Sequence, residues 1–176
     1  MLGAGLGGVE QEFELFGECA DARTRAAMLD ESLEIIDRLM AGGPVVHCGQ
    51  HYVVGGVSLA PLSVQQPRVP IWIGDHSDAA LRRAARWAGW IPMACDQNGA
   101  MTLAPDQLAA KLVCIRQHRS DGAAFEIALT RQSEPQDRSL RQAHADAGAT
   151  LWLEMLHGLR DSFEAMLQRA VAGPTV

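Results

Sequence analysis

The residues with the most chemistry to offer are Gly74-Asp75-His76-Ser77, which follow a short apolar run, Ile71-Trp72-Ile73, and lead into a helix-forming stretch. Strand ends of this kind are where α/β proteins place their ligands. Ser77 is spaced to cap the next helix, whose free N–H groups and dipole suit a phosphate. Arg82 and Arg83 fall one to two turns into that helix. An ordinary capped helix accounts for the same pattern, and both readings stay open.

Gly3, Gly5 and Gly8 satisfy the GxGxxG spacing of a dinucleotide-binding turn. That motif needs a helix directly after its third glycine and an acidic strand end about 20 residues on. Here the next amphipathic helix is expected only from Asp21, so a strand end with close backbone approach is the better reading. His47, Cys48 and His51 bring three metal-ligating side chains together. Zinc wants a fourth ligand and a second shell, and no carboxylate is close in sequence. A solvated pair, His47 facing His51 across a hairpin, is expected there, and no metal is assigned. Glu12, Glu14 and Glu18 read as a solvated face. No G-x-S-x-G, H-E-x-x-H or phosphate-loop pattern occurs, so no catalytic residue is named and the chemistry would come largely from a cofactor.

The elements that must position these residues alternate. A short apolar run over Leu2 to Leu6 is a candidate strand, and Asp21 to Met40 is an amphipathic helix with Leu29, Leu33, Ile36 and Met40 on one face. Gly42-Gly43-Pro44 stops it, and Val45 to Val54 reads as a hairpin turning at Cys48-Gly49-Gln50. Pro61, Pro67 and Pro70 exclude helix from the following stretch and indicate a lid or surface excursion. Strands are then expected at Ile71 to Ile73, Trp90 to Met93, Phe125 to Thr130 and Thr150 to Glu154. Helices are expected from Asp78 to about Trp87, from Pro105, from Asp137 to Ala147, and from Asp161 to Ala172, the last ended by Gly173-Pro174. Five strand–helix units in alternation imply an α/β fold with a parallel sheet.

The chain has 176 residues, too few for a complete eightfold (β/α) barrel of roughly 250. Its formal net charge is −6, and Lys111 is the only lysine beside 14 arginines. Without a basic run, neither nucleic acid nor an anionic membrane surface is an expected partner. Cys19, Cys48, Cys95 and Cys114 form no CxxC pair and no secretory signal precedes them, so reduced thiols and a cytoplasmic location are expected.

LGAGLGG at 2–8, EFELFGE at 12–18, RVPIWIGDHSDAALRRAARWAGW at 68–90 and GATLWLE at 148–154 resemble the luciferase-like monooxygenases, a family that also contains deazaflavin-dependent oxidoreductases. The resemblance covers nearly the whole chain. It implies a partial TIM (β/α) barrel of about five βα units, the family's strands four to eight, forming one domain over 1–176 with 42–70 as an inserted hairpin and lid. It also implies reduced flavin, FMN, as cofactor, with a deazaflavin coenzyme as the alternative, and oxygen and a small organic substrate as partners. Cofactor-binding positions follow by matching: Gly74, Asp75, His76 and Ser77 for the phosphate, and Gly3 and Gly5 beside the ring.

The chain departs from the family pattern in three places. The first three strands have no counterpart. Asp75 stands where glycine is common, putting a negative charge at the expected phosphate unless it points away or is paired. Gly8 occupies the position that is acidic in the sugar-phosphate dehydrogenase branch, which makes that branch a poor match. A five-eighths barrel leaves two open strand edges, so self-association or pairing with another chain is expected, and a non-catalytic flavin-binding remnant is the rival reading.

Overall fold

The computed structural model describes residues 1–96, 100–120, 122–134, 137–158 and 160–173. It divides into two compact units, Met1–Ile71 and Trp72–Val176.

In the first unit, β1 (Leu2–Ala4) begins with the Leu2 N–H donating to the Pro70 carbonyl at 2.8 Å. A short helix, α1 (Glu10–Leu15), lies in the acidic stretch that the sequence reading left without structure. The long α2 (Ala22–Ala41) opens where expected: the Asp21 carboxylate accepts from the Thr24 N–H at 2.6 Å. Gly42, at φ 95°, closes it with a conformation only glycine adopts freely. An antiparallel hairpin follows, β2 (Val45–Cys48) and β3 (Val53–Val57), in which His47 pairs with Val54 and Cys48 with Val53. His51 therefore sits in the turn, and the expected His47–His51 pair does not form. Leu33, Ile35 and Val45 form the buried apolar centre of this unit.

The second unit is a regular alternation: β4 (Ile71–Gly74), α3 (Asp78–Ala84), β5 (Gly89–Ile91), α4 (Pro105–His118), β6 (Glu126–Arg131), α5 (Arg138–Asp146), β7 (Leu151–Glu154) and α6 (Phe163–Ala172). The strands run parallel in the order β4-β5-β6-β7. Ile71, Trp72 and Ile73 are all buried, the continuous apolar run of a parallel strand covered on both faces. Pro105 begins α4, and Leu108, Leu112 and Ile115 bury one stripe of it. Helix α3 ends three residues before Trp87, and α6 begins at Phe163, two residues after the expected Asp161, with Ser162 as its cap. Gly173 closes α6 at φ 70°, while Pro174 lies outside the described residues.

Register at β5 depends on Gly89, which pairs with Trp72. A Cβ there would lie 2.7 to 2.8 Å from three indole atoms of Trp72. The parallel direction places the C-terminal ends of β4 to β7 along one side of the unit, the side on which α/β sheets carry their chemistry. Among the described residues no helix is long and apolar enough to cross a membrane.

Candidate functional site

Strand β4 ends at Gly74, and the next residue turns sharply: Asp75 has φ 89°, the one non-glycine in the left-handed region among the described residues. Its carboxylate folds back over the turn it begins. Oδ1 accepts from the N–H groups of His76 at 2.6 Å and Ser77 at 3.3 Å, and Oδ2 accepts from the Ser77 hydroxyl at 2.7 Å. The Ser77 Oγ in turn accepts from the Ala80 N–H at 3.3 Å, making it the cap of α3 as expected. From the other side, Trp90 Nε1 donates to the Asp75 carbonyl at 2.7 Å and Lys111 Nζ to the His76 carbonyl at 2.8 Å.

Burial pushes the Asp75 carboxyl upward, but the bonds from Ser77 and His76 outweigh it and hold the group below the ordinary aspartate value. A phosphate at this turn would need the same His76 and Ser77 donors that face the carboxylate. The residues present therefore do not fit a phosphate in this arrangement: the charge neither points away nor pairs outside the turn.

The first unit holds a cavity of about 470 Å³ just beyond the C-terminal end of β1. Gly5, Leu6, Cys19, Arg25, Ser32 and Tyr52 contribute to its wall. Arg25 ties that wall together, its Nη1 donating to the Leu6 carbonyl at 2.8 Å and its guanidinium lying 3.9 Å above the Phe13 ring. A Cβ at Gly3 or at Gly5 would meet nothing within 4 Å, so open space lies against the backbone at both. Gly5 lines the cavity and Gly3 does not. A flat ring could approach the main chain here, and in this respect the residues fit the ring of a flavin or deazaflavin.

Glu31 supplies the carboxylate that sequence proximity failed to give the hairpin. From α2 its Oε1 meets His47 Nε2 at 2.8 Å and accepts from the Tyr52 N–H at 2.9 Å, while Oε2 accepts from the His51 N–H at 3.0 Å. Desolvation opposes ionisation, but these bonds prevail and lower the carboxyl to about 2. Any Cβ on Gly49 would collide with Glu31 and His47. The cluster pins the hairpin to α2, and among the described residues no group of three or more His, Cys, Asp or Glu is arranged to hold a metal ion.

A family model described as luciferase-like monooxygenase matches residues 1–112, well over half the chain and both glycine-bearing strand ends. The chain belongs to that family. An uncharacterized protein of Mycobacterium tuberculosis is 32% identical over 126 residues, covering 72% of this chain and 41% of the relative. The F420-dependent glucose-6-phosphate dehydrogenase of Microbacterium testaceum is 37% identical over 92 residues, covering 52% of this chain and 27% of that enzyme. Among solved structures, the monooxygenase RslO1 from Streptomyces bottropensis aligns with a TM-score of 0.57 at 22% identity, over 82% of this chain and 44% of the other. The fold is accordingly the expected α/β partial barrel, and the chain spans less than half the length of the relatives it matches.

This luciferase-like chain also carries a polar network that the sequence reading missed. Glu154, the last residue of β7, accepts from the Ser133 N–H at 3.0 Å and hydroxyl at 2.6 Å, from Arg160 Nη1 at 2.5 Å and from Arg169 Nε at 3.2 Å. Arg160, whose side chain is only 6% exposed, also donates to the carbonyls of Ser133 at 2.6 Å and Met155 at 2.8 Å. Burial acts upward on Glu154, yet the Ser133 and Arg160 bonds bring it to about 2. An acid ending the last expected strand was the signal available. Ser133 and Arg160 lie in the loops after β6 and β7 and Arg169 lies in α6, so spacing along the chain does not link them to Glu154.

Proposed function

We propose that this chain contributes the cofactor-facing part of an oxidoreductase in which reduced flavin, FMN, and oxygen act on a small organic substrate. The observation that carries the reading is the family match, which spans both Gly3-Ala4-Gly5 and Gly74-Asp75-His76-Ser77. Open space against the backbone at Gly3 and Gly5 supports it, because a planar ring needs a wall without side chains. When bound, the cofactor supplies the electron pair for the reaction. The chain's own part is to orient the ring beside Gly5 and to exclude water from the cavity. Gly74, Asp75, His76 and Ser77, matched to the cofactor by the resemblance, form a turn whose donors face the Asp75 carboxylate and cradle no phosphate. A cytoplasmic location and pairing with a second chain along the free edge of β7 belong to the same reading.

A deazaflavin reading has its own support, since one relative is named for its dependence on F420. Fluorescence titration of the purified chain with FMN and with F420 separates the two. Saturable quenching with FMN, weakened at least tenfold by Gly5→Val with the fold intact by circular dichroism, supports the flavin reading. Binding of F420 alone transfers the assignment to hydride transfer. Failure of both cofactors to bind a folded chain sinks the proposal.

A further inference from the structure

Directly after β4 this chain places an aspartate, Asp75, in the left-handed region, at φ 89°. L-residues seldom hold that conformation, and aspartate does so where its side chain can bond the local backbone. Three bonds form here: His76 N–H and Ser77 N–H to Oδ1, and the Ser77 hydroxyl to Oδ2. The donors that would greet a ligand's anionic oxygens instead surround an anion built into the chain. The carbonyls flanking the turn are held by Trp90 Nε1 and Lys111 Nζ, so its backbone is anchored from the adjoining β5 and α4.

We infer that Asp75 is a specificity-determining residue that closes the β4–α3 turn to phosphate, so that a cofactor bound by this chain is held through its ring and not through an anionic group at this turn. A carboxylate already seated on the donors excludes a second anion twice over, by occupying the hydrogen bonds and by like-charge repulsion. His76 Nδ1 stands 3.6 Å from Oδ1, and Lys111 Nζ holds the His76 carbonyl, which fixes the backbone beneath the seated carboxylate. The consequence for the cofactor rests on the proposed oxidoreductase reading, whereas closure of the turn does not.

The test uses the turn alone, so its failure is distinguishable from failure of cofactor binding. Amide ¹H–¹⁵N shifts of His76 and Ser77 are followed in the full chain while inorganic phosphate is added at neutral pH. No saturable shift is expected, and a saturable shift at either amide overturns the inference. The same amides are then followed through an acid titration. They should move together with a midpoint below the ordinary aspartate value, and the transition should vanish in Asp75→Asn. No transition, a midpoint at or above the ordinary value, or persistence in Asp75→Asn also overturns it.

Discussion

Replacing Glu154 by Gln removes one negative charge from the second unit at nearly constant volume. The wild-type carboxylate accepts from Ser133, Arg160 and Arg169, and Arg160 is almost wholly enclosed, with 6% of its side chain exposed. A hydrogen bond to a charged group contributes about 1.5–3 kcal/mol, and breaking a buried ion pair costs about 3–5 kcal/mol. Arg160 keeps two carbonyl acceptors and a contact to Glu134 at 3.3 Å, so it is not left wholly unpaired. The loss should therefore fall near the overlap, about 3 kcal/mol, or about 6–12 °C in Tm for a chain of this size. All four tryptophans, Trp72, Trp87, Trp90 and Trp152, lie in the second unit, so urea unfolding followed by tryptophan fluorescence reports on it selectively.

The pH dependence has a definite sign. Because the folded carboxyl is held at about 2 against an ordinary 4.5, its stabilisation is complete above pH 4.5 and lost as pH falls toward 2. Glu154→Gln should flatten that part of the stability curve. A change under about 0.5 kcal/mol at pH 7, with the acid limb unaltered, would refute the view that this network holds the ends of β6 and β7 together.

Gly89→Ala should destabilise the second unit by about 1–3 kcal/mol in the same urea assay, since its Cβ must displace the Trp72 indole; an unchanged midpoint would show that β4 and β5 have slack. Glu31→Gln should speed hydrogen exchange at the His51 and Tyr52 amides at least tenfold, and unaltered protection would mean that the hairpin does not depend on α2. Light scattering after size exclusion should show a dimer or a defined larger species if the β7 edge pairs with another chain. A stable monomer would remove that proposal.

Strand–helix alternation was legible because buried parallel strands announce themselves as apolar runs, as at Ile71 to Ile73, and because helix ends carry side-chain caps, as at Asp21 and Ser77. Helix α1 was not legible: Glu12 and Glu14 bury nothing that would give a period. The hairpin was foreseen but its histidines were mispaired, because the ladder closes at Cys48 and Val53 and the longer turn between them holds His51. Glu31 and Glu154 draw their meaning from partners distant in sequence, which no local pattern encodes. At Asp75 the unfavourable charge was readable from residue type, but only the folded turn shows the carboxylate turned inward onto His76 and Ser77.

The most direct test of the oxidoreductase account is an amide shift map of the full chain with saturating FMN and, separately, F420. The account predicts that one of them binds and moves the amides of Gly3 and Gly5 together with cavity residues such as Cys19 and Tyr52. A folded chain that leaves these amides unmoved by either cofactor, or that binds one of them only elsewhere, contradicts it.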